Sequence, residues 1–317
     1  MVNNPNKQNK MKTIYLAMDI GGTFIKYALV SPGKRFLTPT RTAPVNSMAS
    51  AKKILESFHN VIVQSEAVVK TRGFHLRKIC VAICGPFDYE NGVSLMQEDK
   101  YRSIYNLSLK DEFRAALTSA DEINISFIHD VQAFLLGQSF VTTPLRNGRV
   151  LAVTLGTGVG TAFMENGRII PPGRGIPDKG LGRLPYRSGK IEDYIGGKAL
   201  VDLYRKYSAG SSTHSVKEIA ELARRKDSAA LRVFHELGDV LGETLASLLN
   251  DFSPERLVFG GQISKAYDLF REPFLARVSP WIGEDNIIRA NDLETATLLG
   301  AVIASENNGK ETNANNF

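Results

Sequence analysis

Three short runs of this sequence set chemically capable groups at the ends of apolar stretches. In Tyr15-Leu-Ala-Met-Asp-Ile-Gly-Gly-Thr-Phe-Ile-Lys-Tyr-Ala-Leu-Val30, Asp19 stands between Met18 and Ile20 at the end of a predicted strand. Gly21 and Gly22 follow. Lacking a Cβ, they let backbone N–H groups approach a ligand closely, and Thr23 adds a hydroxyl. Such a turn can hold a phosphate while Asp19 faces a magnesium ion. Taken alone, the stretch reads equally well as a plain hairpin. The second run, Leu151-Ala-Val-Thr-Leu-Gly-Thr-Gly-Val-Gly-Thr-Ala-Phe163, repeats the first at a constant offset. Leu16 matches Leu151, Ala17 matches Ala152 and Gly21 matches Gly156, while Thr154 replaces Asp19. Two related glycine turns predict a duplicated fold that grips one phosphate chain from both sides. The third run, Asn124-Ile-Ser-Phe-Ile-His-Asp130, is a predicted strand that ends on a second carboxylate, with a helix starting directly after it at Val131.

The elements that must position these groups alternate. A third strand, at an edge, is expected over Lys34 to Thr40, since Pro39 cannot donate to a ladder. Ile54, Leu55, Phe58, Val61, Ile62, Val68 and Val69 recur at helical spacing. A buried strand follows at Ile79–Cys84, then a loop from Gly85 to Ser94, a short helix near Phe113 and the strand ending at Asp130. Strand and helix in alternation predict α/β architecture with ligands at the carboxyl ends of strands. In the second half, Asn166-Gly167 predicts a type I′ hairpin turn. Pro171 to Gly189 reads as a long functional loop, and Asp193 to Tyr207 as a helix. Ser215-Val-Lys-Glu218 is a capping box. Leu231 to Leu248 marks a long buried helix. Leu257–Phe259 is a strand leading into a third glycine turn, Gly260-Gly-Gln-Ile-Ser264, and Ala296 to Ala304 forms a final helix.

A chain of 317 residues predicts two domains of ordinary size. No apolar run approaches the roughly 18 residues of a membrane span. Met1 to Lys10 lacks the apolar stretch of a signal peptide, so a cytoplasmic protein is expected. Net charge is +6, but lysine and arginine are scattered among acids, so small anionic substrates or a merely basic surface explain it better than nucleic acid. Cys80 and Cys84 share a face of one strand with Cα atoms roughly 13 Å apart, too far for a disulfide. They read as free thiols.

Asp19-Ile-Gly-Gly-Thr23, Leu155-Gly-Thr-Gly158 and Phe259-Gly-Gly-Gln-Ile-Ser264 together resemble the phosphate-1, phosphate-2 and adenosine motifs of sugar kinases with the actin-like ATPase fold. Gly85-Pro-Phe-Asp-Tyr-Glu-Asn-Gly-Val-Ser94, His129-Asp-Val-Gln-Ala133 and Ile191-Glu-Asp-Tyr-Ile-Gly-Gly-Lys-Ala-Leu200 stand in the order expected of the ROK family (repressors, open reading frames, kinases). The likeness covers roughly residues 13–305.

This resemblance implies duplicated ribonuclease H-like domains with a central cleft: 13–130 plus 296–305, and 131–295, with disordered tails at 1–12 and 306–317. It implies ATP bound in that cleft. Gly21, Gly22, Thr23, Gly156, Thr157 and Gly158 hold its phosphates, Gly260 and Gly261 pack against the adenosine, and Asp19 positions magnesium, through water. Asp130 takes the place of the family's general base, and a sugar hydroxyl must indeed lose a proton as it attacks phosphorus. Gly85, Pro86, His129, Asp130, Arg183 and Glu192 fall at sugar-facing positions. A homodimer acting on a small sugar is implied. The chain departs from the family pattern in three sugar-facing places: His129 stands for Asn, Gly180 for Glu and Arg183 for a zinc-binding His. No cysteine follows, so zinc is not expected. An acceptor other than plain glucose is therefore expected. The alternative is a non-catalytic sugar-binding or regulatory protein on the same fold. Family repressors add a helix-turn-helix module, which the short polar segment before Ile14 does not predict.

Overall fold

The computed structural model describes residues 13–98, 100–119, 122–173, 180–208, 214–290 and 292–314. The tail expected at 1–12 and residues 174–179 of the long loop lie outside them. The chain divides into two compact units, Met1–Gly137 with Glu294–Phe317, and Gln138–Leu293. The first boundary thus falls inside the helix that Asp130 begins, not at Asp130 itself.

The first unit holds β1 (Thr13–Ile20), β2 (Phe24–Val30), β3 (Arg41–Pro44), α1 (Ala51–Thr71), β4 (His75–Ile83), β5 (Phe87–Asp88), β6 (Val93–Ser94), α2 (Leu109–Ala116), β7 (Asn124–His129) and most of α3 (Asp130–Val141). The second holds β8 (Arg149–Leu155), β9 (Val159–Glu165), β10 (Arg168–Ile169), β11 (Pro185–Tyr186), β12 (Gly189–Lys190), α4 (Glu192–Ile195), α5 (Gly197–Ser208), α6 (Val216–Arg224), α7 (Ser228–Phe252), β13 (Arg256–Gly260), α8 (Tyr267–Val278) and β14 (Ile287–Arg289). Helix α9 (Leu293–Ala314) returns to the first unit.

The repeat seen in the sequence is a repeat of topology. The first sheet runs β3-β2-β1-β4-β7 and the second β10-β9-β8-β13-β14. In each, the first three strands pair antiparallel and the last three parallel. The third strand is not where the sequence predicts it. Lys34 to Thr40 instead folds back on β2, with Leu37 N–H donating to Leu29 O at 2.8 Å and Leu29 N–H to Thr38 Oγ1 at 3.0 Å. The edge strand forms later, at Arg41–Pro44. Asn166 and Gly167 both have positive φ, 49° and 77°, as a type I′ turn requires. The capping box at Ser215 and Glu218 forms in full.

The first sheet is apolar on both faces, as parallel strands covered on both sides must be. Leu16, Met18 and Ile20 face a core shared with α1, while Tyr15 and Ala17 face a second core shared with Ala133 of α3 and Leu298, Ala301 and Val302 of α9. That second face is lined by Ala17, Ala28, Cys80 and Ala82, small residues that let helices approach. Burial pushes the Cys80 thiol up to about 11, so it stays protonated. Helix α9 runs to Ala314, through most of the segment expected to be a tail. Its turn beyond Ala304 is held by Lys78 Nζ donating to Ser305 O at 2.8 Å and by a 2.6 Å ion pair from Lys34 to Glu306. Among the described residues no helix is long and apolar enough to cross a membrane.

Helices α3 and α9 touch backbone to backbone. A Cβ on Gly300 would lie 1.7 Å from Ala133 O, and one on Gly137 1.8 Å from Ala296 O. Gly→Ala inside a helix ordinarily gains about 1 kcal/mol, but here the methyl would overlap main-chain atoms that cannot rotate away. Gly300→Ala is therefore expected to destabilise by about 2 kcal/mol or more in urea unfolding. A neutral or stabilised variant would show that the helices do not cross this closely.

Candidate active site

In the first unit the predicted site residues gather at the carboxyl edge of one sheet. Asp19 is next to last in β1, paired across to Lys26 of β2 and alongside Ala82 of β4. β4 ends at Ile83, and Gly85-Pro86 follows with a cis peptide bond. β7 lies beyond β4, with His129 level with Ile83, and Asp130 opens α3 one residue later. Asp19, Gly85, Pro86, His129 and Asp130 are brought together because the parallel strands β1, β4 and β7 end level with one another.

The turn Gly21–Thr23 has its carbonyls tied inward. Gly21 O accepts from the Tyr101 hydroxyl at 2.5 Å, Gly22 O from Ser47 N–H at 3.0 Å and Thr23 O from Val45 N–H at 2.9 Å. Gly21 N–H closes the turn on Phe24 O. The N–H groups of Gly22 and Thr23 find no acceptor among the described residues, and Thr23 is exposed. Carbonyls fixed inward with N–H groups left outward make a concavity for an anion. The sequence reading missed Val45, Ser47 and Tyr101, and no spacing rule points to them. Burial raises the Tyr101 hydroxyl far above its ordinary range, so it remains a donor.

Asp19 is enclosed by protein although part of its surface is open. Desolvation, helped by the charge of Asp130 and opposed by Lys26, pushes its carboxyl from 3.8 up to about 7. Asp130 Oδ1 accepts from Val131 N–H at 2.8 Å and lies 3.6 Å from His129 Nδ1. The His129 ring meets the edge of Tyr89, whose hydroxyl donates to Ile83 O at 3.1 Å. A Cβ on Gly85 would touch that hydroxyl at 3.2 Å.

In the second unit Gly156–Gly158 joins β8 to β9. Gly156 N–H donates to Gly158 O and Gly156 O accepts from Gly197 N–H, at 3.0 and 2.9 Å. Thr157 and Gly158 N–H have no acceptor among the described residues. Gly261 has φ 82°, and a Cβ there would lie 2.1 Å from Leu155 O, so only glycine lets the turn after β13 abut the end of β8. Glu192 opens α4. Its Oε1 pairs with Lys190 Nζ at 2.9 Å, and its Oε2 would lie 2.8 Å from a Cβ on Gly158 and 3.2 Å from one on Gly182. The structure thus gathers Gly156, Thr157, Gly158, Gly182 and Glu192, with Gly260 and Gly261 against the end of β8. Arg183 is exposed, and among the described residues only Thr161 comes within 4 Å of a notional Cβ on Gly180.

The hairpin β11–β12 precedes Glu192. Arg187, at φ 49°, lays its guanidinium 4.8 Å from the Tyr186 ring and 5.4 Å from the Tyr194 ring, and the two rings meet edge to face. Tyr194 Oη is 3.0 Å from Ser188 Oγ, and Lys190 N–H donates to Asp193 Oδ2 at 3.0 Å. There is no cysteine between Gly173 and Glu192. Among the described residues no three His, Cys, Asp or Glu side chains are grouped to hold a metal.

The raised Asp19 carboxyl has a consequence for stability. The folded chain holds this proton more tightly than the unfolded chain, so stability falls as pH rises from about 4 to about 7. Asp19→Asn removes that penalty. Without divalent cations, the variant is expected to melt higher than wild type at pH 8, and the gap should close as pH falls towards 4. Melting curves that differ equally at every pH would remove Asp19 as the source.

The ROK family model matches residues 15–305. A glucokinase of Thermotoga maritima is 26% identical to this chain, over 92% of it and 96% of the relative. An N-acetyl-D-glucosamine kinase of Salmonella gallinarum is 23% identical, over 79% and 84%. The structure of a ROK family glucokinase of Streptomyces griseus, in complex with glucose and AMPPNP, matches with a TM-score of 0.74 at 21% identity, over 92% of this chain and 98% of that one. The shared architecture is the actin-like ATPase fold.

Proposed function

The chain belongs to the ROK family and is an ATP-dependent carbohydrate kinase; on that premise we propose that Asp130 is the general base that activates a sugar hydroxyl. The observation that carries this reading is the placing of Asp130 directly after β7, at the sheet edge that also carries Asp19 and the outward N–H groups of Gly22 and Thr23. The hydroxyl oxygen attacks the γ-phosphorus of ATP, the new O–P bond forms, the bond to the β-phosphate oxygen breaks, and the hydroxyl proton passes to Asp130. Gly21, Gly22, Thr23, Gly156, Thr157 and Gly158 are the phosphate-holding residues, and Gly260 and Gly261 the adenosine-facing ones. Gly85, Pro86, His129 and Glu192 orient the acceptor.

Asp19 fits a magnesium ion, because its carboxyl is a hard oxygen donor whose charged form is disfavoured until a cation is near. Bound there, the ion would neutralise nucleotide phosphate charge.

Asp130→Asn is expected to keep the fold and nucleotide affinity while lowering kcat by about 10² or more, the scale of a positioned base. Turnover near wild type in a coupled ADP-release assay would remove Asp130 from this role.

The acceptor reading rests on Gly180 and Arg183. A carboxylate at position 180 would accept from two sugar hydroxyls, and glycine there supplies no acceptor. Position 180 has φ −54° and ψ 154°, and the nearest described atoms lie 3.8 and 3.9 Å from a notional Cβ, so no described residue obstructs a larger side chain there. Wild type is expected to prefer another hexose or an anionic hexose derivative to glucose. Gly180→Glu should raise kcat/KM for glucose by about tenfold, the worth of a hydrogen bond to a charged group. Glucose ranking first in wild type, or no gain in the variant, would overturn this reading.

A further inference from the structure

Lys100 is a residue that neither the sequence motifs nor the reaction scheme uses. Its Cδ and Cε both lie 3.1 Å from a notional Cβ on Gly22, so the side chain runs directly across the phosphate-type turn. Its Nζ is one bond further along. Lys100 is half-buried and makes no ion pair or hydrogen bond among the described residues.

Its placement is built, not incidental. The next residue, Tyr101, takes a left-handed backbone at φ 62°, uncommon for a residue with a Cβ. Tyr101 is fully buried. Its N–H donates to Ser47 O at 2.8 Å and its hydroxyl to Gly21 O at 2.5 Å. Ser47 in turn donates to Gly22 O, and its Oγ lies 3.3 Å from the same notional Gly22 Cβ. Two hydrogen bonds and a reversed backbone thus staple the segment carrying Lys100 to the turn from one side. The lysine stem lies over Gly22, beside the Ser47 hydroxyl.

The turn offers outward N–H groups from Gly22 and Thr23, and a cation with no carboxylate partner among the described residues stands at their edge. Both features favour the same ligand, a group with several anionic oxygens. We propose that Lys100 is a phosphate-binding residue that pairs with the nucleotide's terminal phosphates on the Gly21–Thr23 turn. This rests on the kinase reading above. The phosphate is the nucleotide's rather than an acceptor substituent because the lysine lies over the glycine turn after β1, whereas His129 ends β7 and Asp130 follows it, on the far side of β4. The family motif predicts backbone donors at this turn; a lysine reaching it from the segment after the loop that ends at Ser94 is a feature of this chain's own residues.

The test is calorimetric titration of the full chain with MgADP and with a non-hydrolysable ATP analogue, in the absence of sugar. Lys100→Met keeps the stem over Gly22 and removes only the charge. It should bind both nucleotides about tenfold more weakly, with an unchanged melting temperature, while Lys100→Arg should stay within about threefold of wild type. Added KCl should weaken wild type more steeply than Lys100→Met. Nucleotide affinity equal to wild type in Lys100→Met, or a change confined to the sugar KM, overturns the assignment and leaves the kinase reading standing. A wild-type chain that binds neither nucleotide overturns both.

Discussion

Two carboxyl groups at the same edge of one sheet set the terms for the first unit. Asp19 is enclosed, and the charge of Asp130 bears on it; desolvation is the larger effect and repulsion adds to it. Lys26, directly across the β1–β2 pair, offsets part of this but not enough to return the carboxyl to its ordinary range. Such a group is more stable as a neutral acid or beside a cation than as a bare anion. On the proposed reading both carboxyls serve at this edge, Asp19 near the metal and phosphates and Asp130 near the attacking hydroxyl. The local destabilisation is therefore inherent in the chemistry, and the apolar faces of the same sheet must offset it.

The second unit reuses the five-strand frame without that charge. Thr154 stands where Asp19 does, and the turn that follows reaches the same end by different means. In the first unit, side chain and backbone from Val45, Ser47 and Tyr101 hold the turn's carbonyls inward. In the second, Gly197 N–H takes Gly156 O, and Gly196 and Gly197 allow the α4–α5 junction to press on the turn. A Cβ on Gly196 would lie 2.9 Å from Thr157 O, and one on Gly197 3.1 Å from Gly156 O. In both, the outward N–H groups follow from where the carbonyls are tied. A glycine pair makes such a turn possible, and the neighbours decide which way its dipoles point.

This division explains what could be read from the sequence. The glycine turns, the carboxylate-ended strands and the repeat were legible because each depends on residue type at fixed spacing. The long helices α1 and α7 were legible from apolar periodicity. The edge strand at Arg41–Pro44 was not, because its place is set by how Leu37 and Thr38 fold back on Leu29, a long-range pairing with no local signal. Helix α8 was missed. Its buried Tyr267, Phe270, Phe274 and Val278 do recur at helical spacing, but Pro273 inside it reads as a breaker, while the packing of α8 on α7 overrides that. β14 has only three residues, too few for any pattern. The continuation of α9 past Ala304 depends on Lys34 and Lys78, far away in the chain. At the site, Tyr101, Ser47 and Lys100 escaped notice for the same reason: their roles come from contact with Gly21 and Gly22, not from any motif.

The segment that presents Glu192 shows how the frame is braced where no cysteine cluster stands. A hairpin as short as β11–β12 is not stable by itself. Here it is fastened at three points to α7 and α4. Tyr186 donates to Glu243 of α7 at 2.8 Å, Asp193 of α4 accepts from Lys190 N–H, and Arg187 stands against Tyr186 and Tyr194 at once. The hydrogen bonds contribute about 1 kcal/mol each and a partly exposed cation–aromatic contact about 0.5–1 kcal/mol. That sum is small beside a structural zinc site, but it needs only to order the nine residues between Leu181 and Ile191, both of which are buried. Ile191 N–H donates to Leu184 O at 3.1 Å and closes that excursion. With its base closed, the hairpin turns Lys190 towards Glu192, and the 2.9 Å ion pair fixes one oxygen of that carboxylate. The other oxygen lies beside Gly158 and Gly182, both without side chains to cover it. Thus an aromatic and guanidinium clamp, reading in the sequence as a plain Tyr-Arg-Ser-Gly-Lys stretch, settles which way the Glu192 carboxylate points.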